Sequence, residues 1–162
     1  MAPAHVVLQL GLITIMATRR ATPDDLPAML TLVREFYEID RHAYAEDRVV
    51  AALAPMLAAD SLGQIWVLDD DNGPTGYAII TWTWSLESGG RDCILDEIYV
   101  REQGAGEGAE LIERAISEAE TYGALAMFLE TEAHNARVRS FYTRHGLAVE
   151  DSVWMSMRLP RK

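Results

Sequence analysis

The run Val100-Arg-Glu-Gln-Gly-Ala-Gly-Glu-Gly-Ala109 limits the folds open to this chain more than any other stretch. The residues before it, RDCILDEIYV (91–100), are β-branched and apolar and read as a strand. After it, apolar residues at 111, 112, 115, 116, 119 and 122 fall on one helical face, and Gly123 ends the pattern. ALAMFLE (124–130) is again a strand. Strand, helix and strand over 94–130 imply a parallel pair joined by a right-handed crossover. Glycine within a helix costs about 1 kcal/mol relative to alanine. Glycines at 104, 106 and 108 therefore point to a backbone that must come close to something. A helix's first turn carries unpaired N–H groups and partial positive charge, so the loop reads as a cradle for phosphate or pyrophosphate; a plain turn is the alternative. No Gly-Lys-Ser/Thr follows, which excludes a Walker loop, and the G-x-G-x-x-G dinucleotide spacing is absent.

The rest of the chain supplies the frame. TPDDLPAMLTLVREFYEI (22–39) opens with Thr22 as N-cap, Pro23 at the first helical position and two aspartates. A second helix is expected over about 47–58, with Pro55 its weak point. QIWVLDD (64–70), GYAIITWTWSLE (76–87) and RDCILDEIYV form a three-strand antiparallel meander. A short helix follows over about 135–145, and LAVEDSVWMSMRL (147–159) gives one or two strands. The class is α/β (α+β): a mixed, mostly antiparallel central sheet with flanking helices and one parallel βαβ unit. The 162 residues make one domain, with no repeat or linker to mark a second.

The net charge of −11 makes nucleic acid and anionic membrane poor partners, and is compatible with amine substrates or simple solubility. No run reaches the ~20 apolar residues of a membrane span. The single cysteine, Cys93, forbids an internal disulfide, fits a reducing cytoplasm, and reads as a buried structural thiol. No metal is needed for a chain of this size to fold. Residues 1–15 are either an extra strand or an extension ahead of a start at Met16, leaving 16–162 as the domain proper.

Two motifs together resemble the GNAT superfamily of N-acetyltransferases. The family's acetyl-CoA loop, Gln/Arg-x-x-Gly-x-Gly/Ala, is matched by Gln103-Gly104-Ala105-Gly106-Glu107-Gly108, followed by the small Ala109. Its later element, Asn-x-x-Ala-x-x-Phe/Leu-Tyr then Gly-Phe, is matched by Asn135 to Tyr142 and Gly146-Leu147, with Val138 replacing the alanine. Element order agrees from about residue 16 to the end. Two departures stand out. The loop is about two residues short after Val100, and it carries Glu102, Glu107 and Glu110 against Arg101 alone, which implies weakened coenzyme A affinity.

The resemblance implies direct acetyl transfer from acetyl-CoA to an amine, with Tyr142 protonating the leaving thiolate and Glu97 acting as base through a water. Strand alternation sends Asp96 to the opposite face. His134 and His145 read as surface or capping residues before relays. The family pattern also implies that backbone groups of Ile98 and Val100 pair with the pantetheine arm and that Asn135 contacts the cofactor. Phe36, Tyr37, Trp82, Trp84 and Glu87 are candidates for the acceptor side, with Glu38 and Asp40 as further acids, although aromatics at such spacings equally serve a core. The acceptor is a small-molecule or protein amine, and a homodimer is compatible with the family. Two other readings stay open: an acyl-CoA-binding sensor of the same fold without turnover, and a nucleotide-binding protein of another fold.

Overall fold

The computed structural model describes residues 17–104 and 106–160, so the expectations for residues 1–15 and for Ala105 lie outside it. The chain divides into two compact units, Met1–Leu129 and Glu130–Lys162.

In the first unit five strands lie in sequential order: β1 (Ala17–Arg20), β2 (Gly63–Asp70), β3 (Gly73–Ser85), β4 (Gly90–Val100) and β5 (Met127–Phe128). The first three pairings are antiparallel and β4–β5 is parallel, as the crossover requires. Helices α1 (Leu26–Ile39) and α2 (Glu46–Ala58) cover one face, and α3 (Glu107–Thr121) is the crossover helix. Pro55 lies inside α2, close enough to its end that the helix runs only to Ala58.

Alternation along the strands decides which residues meet which helices. Ile65, Val67, Tyr77 and Ile79 join Met29, Leu32 and Val33 of α1 and Val49, Leu53 and Met56 of α2 in one buried cluster. Leu68, Ala78 and Ile80 point the other way and are also buried, and α3 lies against β2, β3 and β4 with Leu111, Ile112 and Ala115 buried. With helices on both faces, β2 and β3 carry continuous apolar runs, Ile65–Leu68 and Tyr77–Ile80.

The entry to α1 is fixed by charge. Asp25, 8% exposed, accepts from the Thr22 N–H at 2.7 Å and is gripped by both terminal nitrogens of Arg19 at 2.7 and 2.8 Å. The guanidinium holds the Asp25 carboxyl down at about 2.

Irregularities in the ladders shape β4. Ile79 pairs with Glu97 but Ile80 pairs with Leu95, so Asp96 is an extra residue, a β-bulge. The β4–β5 ladder ends at Ile94, two residues short of that bulge, which is why the strand expected over 124–130 shrinks to Met127–Phe128.

The second unit contains α4 (Ala136–Arg144), whose Asn135 cap accepts from the Val138 N–H at 3.1 Å. The strands expected over 147–159 are not formed. Val153, Trp154 and Met155 are exposed there, and alternation alone does not hold a strand without a ladder partner.

Candidate active site

Glu97 is the best-prepared acid of the first unit. Tyr77 on β3 donates to Oε2 at 2.8 Å, and Tyr37 on α1 donates to Oε1 at 2.9 Å. Burial keeps both phenols protonated at neutral pH, Tyr37 pushed up to about 12 and Tyr77 well above its usual value, so each can only donate here. The Glu97 carboxyl itself is raised by burial, against the lowering effect of the two phenols. Each carboxylate oxygen keeps a second lone pair, so a clamped Glu97 can still accept a proton.

The carboxylate opens on a cavity of about 240 Å³ between α1, α2 and the sheet. Val33, Val49, Leu53, Met56 and Ile79 form its apolar wall, and Tyr37, Arg48, Asp96 and Glu97 its polar part. Asp96 lines the same cavity, a correction to the alternation argument that sent it to the opposite face: the bulge breaks the period of two. Partial burial raises the Asp96 carboxyl as well.

The acceptor-side candidates separate. Tyr37 reaches the cavity. Phe36 lies one residue along α1, its ring 5.8 Å from that of Tyr99. Trp82 stacks on Tyr122 with centroids 4.7 Å apart and donates to the Asp60 carbonyl at 2.7 Å. Trp84 pairs with Arg91 on the ladder, five β3 residues beyond the partner of Glu97, or about 16 Å along the strand. Glu87 is exposed in the β3–β4 turn. Trp82, Trp84 and Glu87 are not among the residues lining the cavity.

On the other edge of β4, backbone groups are open. The Arg101 N–H donates to Thr75 of β3, so by alternation Tyr99 and Glu97 also face β3, while Ile98 and Val100 face away. Among the described residues, no strand pairs with that edge beyond Ile94. It leads into the loop 101–106, where Gly104 (φ 104°) and Gly106 (φ 93°) are left-handed. A Cβ at either would meet open space, so backbone conformation rather than crowding demands glycine there. Gly106 caps α3 with no side-chain cap bond, Gln103 is exposed beside it, and Glu107, Gly108 and Ala109 form the first turn.

This edge, the left-handed glycines and the helix start fit an extended acyl arm ending in phosphates. The charges oppose it. Glu107 Oε2 is buried with no hydrogen-bond partner, and burial with Glu102, Asp70 and Glu110 nearby raises its carboxyl. Arg101, the compensating cation, is held by both oxygens of Glu35 at 2.9 Å.

In the second unit, burial pushes Tyr142 up to about 12, and its ring packs edge-on against Phe141 at 5.3 Å. The Asn135 side-chain oxygen is occupied by capping, leaving the amide NH₂ for other contacts. His145 Nδ1 lies 2.8 Å from the Phe141 carbonyl. Cys93 is fully buried with its thiol pushed up to about 11, the setting of a structural thiol.

Sequence reasoning missed Tyr77 and Arg48. A tyrosine inside an apolar strand needs a partner for its hydroxyl, and that signal was present for Tyr77. Nothing in the sequence marked Arg48.

Comparison with known proteins agrees with this fold. The family model described as acetyltransferase (GNAT) family matches residues 26–147. The uncharacterized N-acetyltransferase YhfO of Bacillus subtilis (strain 168) is 28% identical over 134 residues, covering 81% of this chain and 89% of its own. An integron cassette protein from the mobile metagenome of Cole Harbour Salt Marsh superposes with a TM-score of 0.79 at 26% identity, over 90% of this chain and 91% of that one. The aminoglycoside N-acetyltransferase AAC(6')-Iy, crystallised with CoA, shares the fold at 16% identity and a TM-score of 0.78, over 94% of this chain and 99% of its own.

Proposed function

The chain belongs to the acetyltransferase (GNAT) family, and we propose that it transfers the acetyl group of acetyl-CoA to a primary amine, with Glu97 as general base. The observation that carries this reading is the clamped, partly desolvated Glu97 carboxylate opening on a cavity beside an unpaired strand edge.

Bound acetyl-CoA supplies an activated thioester carbonyl. The open backbone groups of Ile98 and Val100 are suited to hold the pantetheine arm, and the N–H groups of the loop and the first turn of α3, Gln103 to Ala109, to take the pyrophosphate. Asn135 keeps its amide NH₂ for a contact with the arm. Glu97 receives the amine proton through a water, a task for which a carboxyl raised toward neutrality is suited. As the nitrogen–carbon bond forms and the carbon–sulfur bond breaks, the electron pair leaves with sulfur. Tyr142, protonated at neutral pH, is the proposed proton donor to that sulfur.

The acidic loop favours a second reading, an acyl-CoA sensor without turnover. Thiol release from acetyl-CoA with a mixed set of primary amines separates the two. The enzyme reading expects amine-dependent release that falls at least a hundredfold in Glu97→Gln. Binding of acetyl-CoA with no amine-dependent release would replace it with the sensor.

A further inference from the structure

The cavity beside Glu97 has a lining that selects among amines. Its volume is about 240 Å³. That is below the roughly 300–1,000 Å³ of pockets that enclose drug-sized ligands, so a compact group fills it. Its wall is aliphatic, and Val49, Leu53 and Met56 are buried residues of α2 facing inward. Such a wall gives a polyhydroxylated or polycationic body no hydrogen-bond partners. Acidic groups sit at one end, Asp96 and Glu97.

The remaining polar lining residues are Tyr37, committed to Glu97, and Arg48, the one cation among the described residues that line the cavity. It lies in the first turn of α2 and is exposed. Its terminal nitrogen donates to the Ala43 carbonyl, which steadies the side chain and leaves other N–H groups of the fork unused. Among the described residues it makes no ion pair within 4 Å. It shares the cavity lining with Tyr37, whose phenol is bonded to Glu97. One small space thus offers carboxylates for an ammonium group, a guanidinium for an anion, and an apolar wall between α2 and the sheet.

We propose that the acceptor is a free hydrophobic α-amino acid, with its amine at the Asp96–Glu97 pair, its carboxylate on Arg48 and its side chain against Val49, Leu53 and Met56. This rests on the N-acetyltransferase reading. The ammonium first gives one proton to Glu97; the neutral nitrogen then bonds to the acetyl carbon as the carbon–sulfur bond breaks, the sulfur takes a proton from Tyr142, and the second proton lost by nitrogen restores that donor, giving an N-acetylamino acid and coenzyme A as the thiol. Loss of the positive charge on nitrogen removes the attraction to the two acids, so the product leaves more readily than the substrate.

The test compares L-leucine and L-methionine with L-leucinamide, spermidine and kanamycin as acceptors, by thiol release, in the full chain and in Arg48→Gln. Calorimetric titration with acetyl-CoA accompanies the assay. Leucine or methionine is expected to be the best acceptor, and leucinamide, which lacks the carboxylate, to show a KM at least tenfold higher. Arg48→Gln is expected to raise KM for leucine about tenfold at similar kcat, and to leave leucinamide unchanged. Spermidine or kanamycin turned over faster than leucine would overturn the amino acid assignment and keep the transferase reading. So would equal losses on leucine and leucinamide in Arg48→Gln. Acetyl-CoA binding with no turnover of any of the five amines would overturn it as well, while absence of acetyl-CoA binding would remove the transferase reading itself.

Discussion

Tyr77 and Glu97 sit on neighbouring antiparallel strands and meet at 2.8 Å, phenol to carboxylate, although their ladder partners are Tyr99 and Ile79 respectively. The contact is diagonal across the ladder, and a long aromatic side chain spans it. Tyr37 closes on the other carboxylate oxygen from α1, so the base is fixed from both the sheet and a helix. Removing one phenol withdraws a donor from the charged form and raises the Glu97 carboxyl further. Tyr77→Phe should therefore move the acid limb of the kcat/KM profile upward by about half a unit or more, with Tyr37→Phe moving it the same way. A profile unchanged in both variants would show that the phenols do not set the ionisation of the base.

Glu97→Gln keeps the size and an acceptor oxygen for one of the two phenols, puts an NH₂ donor in place of the other oxygen, and cannot take a proton. General base catalysis contributes about 10²–10⁴-fold, so kcat should fall by that order while acetyl-CoA affinity stays within about twofold. Tyr142→Phe should lower kcat by about tenfold or more, also with cofactor affinity retained. Stopped turnover together with lost cofactor binding in either variant would instead indicate a structural role.

Glu107 is the clearest liability of the cofactor loop. Its carboxylate oxygen is buried without a partner at the start of α3, and Arg101 is engaged by Glu35. Glu107→Gln should tighten acetyl-CoA by about three- to tenfold, equivalent to about 0.7–1.4 kcal/mol. The gain should shrink as salt is added. Calorimetry at two ionic strengths checks both, and weaker binding in the variant would show that Glu107 takes part in the cradle.

The Asp25 carboxyl, at about 2 in the folded chain against 3.8 ordinarily, ties stability to pH. Because the folded value is the lower one, its contribution is fully present above about pH 4 and is lost as pH falls through about 2. The Arg19 partner is 41% exposed, which discounts the pair through solvent screening. Asp25→Asn should cost roughly 1–2 kcal/mol at neutral pH. It should also flatten the loss of stability between pH 4 and 2, as read by urea unfolding across that range.

The strand–glycine–helix unit was legible in the sequence because its signals are local: β-branched runs, left-handed glycines and a helical apolar stripe agree. Strand alternation failed at Asp96, where a bulge adds a residue that no local preference announces. The strands expected over 147–159 rested on alternation alone, and a strand depends on a ladder partner that lies elsewhere in the chain. The tryptophans were drawn to the site by residue type, yet Trp82 is committed to Tyr122 and Asp60. Glu97 could be named in advance, but its two phenolic partners lie 20 and 60 positions away, and only the fold joins them.

The loop after β4 and the adjoining strand edge are the proposed seat of acetyl-CoA. Calorimetric titration of the full chain with acetyl-CoA, beside Gly106→Trp, addresses it without knowledge of the acceptor. Gly106 is left-handed at φ 93° and caps α3, so a tryptophan there both strains the backbone and obstructs the approach to the helix start. Saturable binding at one site per chain is expected, and its loss in a variant whose circular dichroism is unchanged. No heat at millimolar acetyl-CoA, or equal affinity in the folded variant, would contradict this assignment.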